Sequence, residues 1–240
     1  MSALIQLAQH VYIYPGDPDP NRTQPNVGVI VTPNHTVLID AGNSPRVARR
    51  VLLALDELHA PPINYVIYTH SHWDHVFGAG VFSVPAIGHE LCRKQLVDTA
   101  SKPWSQAYIQ EEIQRTPARE ASLKAMSRAI EDWRSFHIVV PEITLSRLLR
   151  LYLDDLTLEI EHVGGQHAPE SVVVRAVEAR VIFLGDCYYP PPAHLRRPND
   201  TLDWELIKTL SSDNLDIYVD GHNPPRTRDE FRQLALEQDS

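Results

Sequence analysis

The chain has 240 residues, of which 43% are hydrophobic, and a formal net charge of −9 at neutral pH. This length and apolar content suffice for one domain with a substantial buried core, so we expect a single domain over residues 1–240. The acidic balance, and the absence of any basic run longer than Arg49-Arg50 or Arg196-Arg197, argue against nucleic acid as the main partner.

The sequence also lacks membrane signals. No apolar stretch approaches the length of a membrane span, and the N-terminus has neither the basic nor the apolar segment of a signal peptide. The two cysteines, Cys92 and Cys187, do not indicate a disulfide framework. We therefore expect a cytoplasmic protein that acts on a small molecule, with no membrane partner; the sequence does not indicate an oligomeric state.

Strand and helix patterns alternate through the first third of the chain. Strands are predicted at Leu7–Tyr14, Val27–Thr32, Thr36–Ile39 and Asn64–Thr69, with the second and third forming a hairpin. A loop rich in proline and short polar residues lies at Pro15–Pro25. Ser44 followed by Pro45 predicts the start of a helix, because serine caps a first turn and proline fits its first position.

Residues from about Glu90 to Phe136 predict a helical insertion. Apolar side chains recur there at helical spacing, at Met126, Ala129, Ile130, Trp133 and Phe136. Such a stripe usually packs into a core. Alternatively, Trp104, Tyr108 and their neighbours form a lid over a functional site. The pattern leaves both interpretations open.

The C-terminal part predicts a second strand-and-helix unit. Strands are expected at Leu158–Val163, Ser171–Val177, Val181–Leu184 and Asp216–Val219, and a short one at Val84–Ile87 precedes the insertion. Helices are expected near Leu202–Leu210 and from about Thr227 to Leu236.

The segment His70-Ser71-His72-Trp73-Asp74-His75 is the most informative feature of the chain. Chance would give roughly 0.002 such H-x-H-x-D-H matches in a chain of this composition, so a solvated polar loop is a poor explanation. The motif follows a predicted strand, at the edge where α/β proteins place their chemistry. In an extended segment His70 and His72 point the same way and can share one metal. Asp74 and His75 are then available to a second ion.

Other candidate ligands stand at the ends of later predicted strands. They are His167 after Gly164-Gly165, Asp186 after Gly185, and His222 after Gly221. A lone histidine or aspartate at a strand end is more often a hydrogen-bonded turn residue. Together with the first motif, however, these residues form a pattern.

This pattern resembles the metallo-β-lactamase superfamily, from about Val11 to Phe231. An aspartate after a hydrophobic strand, Asp40, matches the family's first motif. The resemblance implies a four-layer αββα fold, two mixed sheets back to back with helices on both outer faces. It assigns His70, His72 and His167 to one metal, Asp74, His75 and His222 to a second, and Asp186 to the bridge between them. Asp40 is then expected to orient the ligand loop.

Two departures qualify the resemblance. The third motif of the family usually has Gly-His-Thr, whereas this chain has Gln166-His167-Ala168. Asp186 stands where the best-known subclass of true metallo-β-lactamases has a cysteine. The resemblance is therefore specific for fold and metal site, and unspecific for substrate.

The predicted function is a hydrolase with two Zn²⁺ ions, with Fe or Mn as alternatives. A bridging hydroxide would attack a lactone, thioester, ester or β-lactam carbonyl. Asp74 is expected to orient the water and move its proton, and Tyr189 to donate a hydrogen bond to the oxyanion. Packing against Pro190-Pro191-Pro192 is an equally good explanation of Tyr189, and His162 and His194 are weaker polar candidates.

Two other functions compete with this one. A non-haem iron oxidoreductase of the same fold, similar to sulfur dioxygenases, remains open because ligand identity separates Zn from Fe poorly. A zinc-stabilised binding protein without catalysis is disfavoured, because a structural site closes around one ion and here all seven ligand positions are filled.

Overall fold

The computed structural model describes residues 4–19 and 21–236. The strands are β1 Ile5–Ala8, β2 Val11–Tyr14, β3 Val27–Val31, β4 Thr36–Ile39, β5 Ile63–Ile67, β6 Ala86–His89, β7 Ile143–Leu145, β8 Leu148–Leu153, β9 Leu156–His162, β10 Val172–Ala176, β11 Val181–Gly185, β12 Ile217–Asp220 and β13 Arg226–Thr227. The helices are α1 Pro45–Glu57, α2 Trp73–Val76, α3 Glu90–Ala100, α4 Gln106–Arg115, α5 Glu120–Ala129, α6 Trp204–Ser211 and α7 Arg228–Leu236.

The strands form two mixed sheets. The first has seven strands in the order β1 to β7; neighbours are antiparallel from β1 to β4 and parallel from β4 to β7. The second has six strands in the order β13-β12-β11-β10-β9-β8, and only β11 and β12 are parallel. Parallel neighbours lie where helical crossovers connect the strands, as their topology requires.

Three apolar clusters define the layers. The central cluster joins the two sheets, with Ile39 and Ile67 from one facing Ile160 and Phe183 from the other. A second cluster packs α1, α3, α4 and α5 on the outer face of the first sheet. A third packs α6 and α7 on the outer face of the second sheet. The fold is therefore the four-layer αββα arrangement implied by the resemblance.

Several local predictions are confirmed by the structure. The hairpin of β3 and β4 pairs Gly28 with Ile39 in antiparallel register. The Ser44 hydroxyl accepts a hydrogen bond from the Val47 amide at 3.4 Å, and Pro45 begins α1. Within the described residues, no helix has the length and hydropathy needed to cross a membrane.

The predicted strand Leu7–Tyr14 is wrong as a single element. The chain forms two strands, β1 and β2, which pair with each other across a turn at Gln9-His10. His10 has φ 64°, a left-handed conformation that no continuous strand contains. Alternating side chains cannot reveal such a turn, because the pattern of apolar residues continues on both sides of it.

The helical prediction to Phe136 is also wrong at its end, because α5 stops at Ala129. The Asp132 carboxylate accepts hydrogen bonds from the Arg134 amide and the Ser135 hydroxyl, a local turn that competes with helix. Met126, Ala129 and Ile130 are buried as expected of core residues, while Trp133 and Phe136 are partly buried against the same cluster.

Candidate metal centre

The ligand motif begins where β5 ends. His70 and His72 lie in extended backbone after Thr69, and α2 then places Asp74 and His75 in its first turn. His70 and His75 are fully buried, and Asp74 is 6% exposed. Because the backbone changes from extended to helical after His72, the pair His70 and His72 and the pair Asp74 and His75 contribute to the same cluster of side chains.

The structure brings all seven predicted ligands together. Their donor atoms form three overlapping groups, each with its members within 4.8 Å of one another: His70, His72 and His167; Asp74, His75 and His222; and His70, His75 and Asp186. The first two groups correspond to the two predicted ligand sets. The third contains Asp186 with one histidine from each set.

The later ligands reach the motif from the second sheet. His167 Nε2 lies 3.0 Å from His72 Nδ1, and His222 Nε2 lies 3.2 Å from Asp74 Oδ2. Asp186 Oδ2 is 3.4 Å from both His167 Nε2 and His222 Nε2. The first two contacts join residues that follow strands of different sheets, so the centre lies across one end of the sandwich.

Three buried atoms of this cluster lack hydrogen-bond partners within the described residues. They are His70 Nε2, His75 Nε2 and Asp186 Oδ1. Leaving a buried polar atom unpaired costs about 1–3 kcal/mol, so a cluster of three such atoms indicates a bound group that pairs with them. Imidazole nitrogens and carboxylate oxygens are the ligands of divalent zinc and similar ions. His70, His75 and Asp186 also each offer a ligand atom within 4.8 Å of the others, so these residues fit a metal ion.

Glycines admit the backbone close to the centre. A Cβ at Gly221 would lie 2.0 Å from Asp186 Oδ1 and 3.0 Å from His75 Cε1, so any side chain there would displace two ligands. Gly165 has φ 125°, and a Cβ on it would lie 2.2 Å from the Cys187 carbonyl oxygen. Gly165 and Gly221 are thus required by space, and Gly165 also by its backbone conformation.

Asp40 occupies the orienting position expected for it. Its carboxylate accepts a hydrogen bond from His75 Nδ1 at 2.7 Å, and others from the Thr69 amide and hydroxyl at 2.8 Å. The first bond turns His75 Nε2 toward the centre. Likewise, His167 Nδ1 lies 2.8 Å from the Pro190 carbonyl oxygen, which leaves its Nε2 for the centre.

Glu170 is an orienting residue that the sequence analysis missed. It is 1% exposed and accepts hydrogen bonds from the Ser71 amide and hydroxyl and from Gln95 Nε2. Ser71 stands between His70 and His72, so Glu170 fixes the loop that carries both. An acidic residue in an otherwise apolar segment after His167 was the available signal.

Asp220 is a second missed residue, beneath the His222 loop. Its buried carboxylate accepts hydrogen bonds from the His222 amide at 3.0 Å and the Asn223 amide at 2.8 Å, and it pairs with Arg226. The hydroxyls of Tyr188 and Tyr189 also donate to it. One carboxylate therefore holds the loop that presents His222.

The structure places Tyr189 at the centre but directs its hydroxyl elsewhere. Its ring lies near His167 and His222, with centroids 6.1 and 6.3 Å away. The hydroxyl, however, donates to Asp220 Oδ1 at 2.8 Å. Burial and the Asp220 carboxylate raise the pKa of this phenol, so its proton stays in that bond. This bond occupies the hydroxyl proton, and the donation to a substrate oxyanion expected from the sequence stays a prediction.

The pKa shifts separate the two sides of the cluster. Burial and the adjacent His167 lower the pKa of His72 to about 4, and burial with His75 lowers that of His70. These imidazoles are neutral at pH 7, the state that binds a metal. Burial also disfavours charge on His222, but Asp186 outweighs it and raises the pKa to about 10. The carboxylate side of the cluster thus attracts positive charge.

A cavity of about 450 Å³ opens onto the centre. His72, Asp74, His167, Asp186 and His222 line its floor. Trp104 and Tyr108 of the insertion line its wall, so the insertion contributes residues both to the core and to the site. His194 also borders the cavity, whereas His162 stacks on His89 and bonds the Pro169 carbonyl oxygen.

A family comparison agrees with this geometry. The model of the metallo-beta-lactamase superfamily matches residues 20–222, which covers most of the chain and contains every residue of the cluster. The chain belongs to this superfamily. Family membership and the histidine and aspartate cluster together support a metal-dependent hydrolase.

Solved structures share the fold at low sequence identity. A metallo-beta-lactamase from Pontibacter korlensis is 15% identical with a TM-score of 0.65, and each chain covers 99% of the other. A metallo-beta-lactamase family protein from Thermus thermophilus is 18% identical with a TM-score of 0.66, covering 98% of this chain and 81% of that one. The sec-alkylsulfatase Pisa1 from Pseudomonas sp. is 19% identical with a TM-score of 0.67, covering 99% of this chain and 41% of its own.

One curated protein is similar in sequence. It is named "Putative transcription factor avaE" of Aspergillus versicolor, and it is 27% identical over 188 residues. The match covers 71% of this chain and 52% of that protein, so the chain spans about half the length of its curated relative.

Proposed function

We propose that the chain is a dinuclear metal-dependent hydrolase that acts on a carbonyl group of a small molecule. The observation that carries this proposal is the grouping of His70, His75 and Asp186, each with a buried atom that lacks a hydrogen-bond partner among the described residues, between two ligand sets. A single ion would leave one set of buried donors without a partner. Two bound ions would satisfy both sets, and Asp186 would be available to either of them.

Divalent ions held by these residues would supply water with a pKa near 7 and would stabilise developing negative charge on a carbonyl oxygen. The protein must then hold the substrate and move a proton. Asp74 is suited to the second task because its carboxylate borders the cavity and is held 3.2 Å from His222 Nε2. Its second oxygen remains available to accept a proton from attacking water and to pass it to the leaving group.

The apolar wall supports substrate binding and exclusion of water. Trp73 lies within the ligand motif and Phe77 follows it, and Trp104 packs against Phe77 with centroids 5.4 Å apart. This cluster anchors the insertion beside the metal-binding residues. It offers an apolar surface to the part of a substrate that does not react.

The proposal is tested on purified protein of measured metal content, with a substrate panel of lactones, thioesters, esters and β-lactams. Sulfate esters belong in the panel because the Pseudomonas neighbour is named as a sec-alkylsulfatase. We expect the wild-type chain to bind two equivalents of zinc and to turn over a carbonyl substrate. Asp186→Ala should lose metal content and turnover alike. One equivalent of iron with oxygen consumption would instead favour the oxidoreductase, and an Asp186→Ala variant with full metal content and activity would contradict the dinuclear centre.

A further inference from the structure

One cation in the cavity wall stands without a partner among the described residues. Arg119 lies in a short 3₁₀ turn, Pro117–Arg119, between α4 and α5. In the part of the chain that the structure describes, its Nε is buried without a hydrogen-bond partner, and its guanidinium forms no ion pair. Because an unpaired buried donor is costly and a guanidinium cannot lose its charge, this arrangement indicates that a ligand supplies the partner.

The other cations of the cavity are engaged with the protein. Lys102 Nζ lies 3.2 Å from Asp98 Oδ2, and Arg196 Nε donates to the Pro191 carbonyl oxygen at 3.2 Å. An acidic residue of the same wall, Glu112, accepts from Arg115 at 2.8 Å. Arg119 differs from these two cations because, among the described residues, its side chain has neither a hydrogen bond nor an ion pair.

The surroundings of Arg119 are apolar and aromatic. Tyr108, Leu123 and Met126 of the insertion border the same cavity, with Trp73 and Trp104 beside the metal-binding floor. Burial and the nearby Arg119 lower the pKa of His194, so this imidazole adds no competing positive charge at neutral pH. Removal from water strengthens the attraction of a guanidinium for an anion.

We propose that Arg119 binds an anionic oxygen group, a carboxylate or a sulfate, on a substrate whose remaining part is apolar. The proposal rests on the proposed function, since the bound molecule is the one that the metal centre hydrolyses. The planar guanidinium presents paired donors that match the oxygens of such a group. A cavity of about 450 Å³ holds a small amphipathic anion in contact with the floor and the wall.

Calorimetric binding to the full chain as purified, with its metal content measured, tests the proposal by affinity instead of by turnover. The probes are 4-phenylbutanoate, its neutral isostere 4-phenylbutanamide, and 3-phenylpropyl sulfate. We expect an anion to bind at least tenfold more tightly than the amide, and the tighter of the two anions identifies the preferred group. In Arg119→Gln, we expect anion binding to weaken about 10- to 100-fold, as for loss of one charged hydrogen-bonded contact, and amide binding to change less than about twofold.

Arg134→Gln is the matched control, because Arg134 belongs to the same insertion and its side chain is 97% exposed. It removes the same charge outside the cavity and should change neither affinity. Thermal melting of each variant establishes that it is folded, and Arg119→Lys, which keeps the charge, should retain part of the preference for the anion.

Equal binding of anion and amide by the wild-type chain would overturn the proposal. Equal weakening of both probes in Arg119→Gln would overturn it as well, because it would indicate a purely structural role. Failure of the hydrolase panel with an intact Arg119-dependent preference would instead reject the proposed reaction and leave the anion site standing.

Discussion

Replacing Asp220 by asparagine tests whether buried carboxylates hold the metal-binding loops. The side chain is fully buried, and it accepts from the His222 and Asn223 amides, from two tyrosine hydroxyls and from Arg226. Asp220→Asn keeps the shape but removes the charge and turns an amide nitrogen toward donors. Breaking a buried ion pair typically costs about 3–5 kcal/mol.

For a chain of this size, about 1 kcal/mol lowers the melting temperature by about 2–4 °C, so we expect Asp220→Asn to melt about 6–20 °C below wild type. Thermal melting in buffer with a fixed zinc concentration measures this shift, and metal analysis measures occupancy. We expect lower metal occupancy at the ligand set that contains His222. The His222 and Asn223 amides donate to the Asp220 carboxylate, and these hydrogen bonds weaken when the residue loses its charge.

Asp216→Asn is the control for Asp220→Asn. Asp216 also contacts two arginines, Arg180 and Arg228, but it is 53% exposed, and exposed ion pairs contribute little. It should melt close to wild type with full metal content. A melting temperature and metal content for Asp220→Asn equal to those of Asp216→Asn would refute the reasoning.

Three further predictions concern Asp74, Tyr189 and Asp154. Asp74→Asn should lower kcat by about 10²- to 10⁴-fold on the best substrate while metal bound by His70, His72 and His167 is retained, as steady-state kinetics and metal analysis would show. Tyr189→Phe should change kcat less than about threefold, because its hydroxyl donates to Asp220; a loss of about a hundredfold would mean that the hydroxyl turns to the substrate. Hydrogen bonds from Thr32, Asn34 and His35 hold the pKa of Asp154 below its usual range, so its stabilising effect is present above about pH 4 and is lost as pH falls further. The difference in urea midpoint between wild type and Asp154→Asn should therefore be full at about pH 7 and shrink below about pH 4.

The candidate ligands could be identified from sequence because each lies in a short local pattern of residue types. His70 to His75 lie in one short motif, and His167, Asp186 and His222 each come one or two residues after a glycine near the end of a strand. The layers followed from apolar runs and from the resemblance. The ends of strands and helices were harder to predict. The turns at His10 and Asp132 depend on local backbone conformation within apolar patterns that continue on both sides.

The roles of Glu170, Asp220 and Arg119 could not be predicted in the same way. Each depends on partners far along the chain, such as Ser71 for Glu170, or on the lack of one among the described residues, as for Arg119. Tyr189 shows the converse limit. Its offset from Asp186 correctly placed its ring beside the centre, but the direction of the hydroxyl is set by Asp220, 31 residues away.

Three carboxylates that are not among the candidate ligands position the residues that are. Asp40 holds His75 and Thr69, Glu170 holds Ser71 between His70 and His72, and Asp220 holds the amide of His222. Each acid is nearly or fully buried, and each accepts more than one hydrogen bond from the loop that it holds. The strand ends that bring these acids inside thereby fix the ligand loops before a metal binds, and this preorganisation reduces the ordering that metal binding must impose.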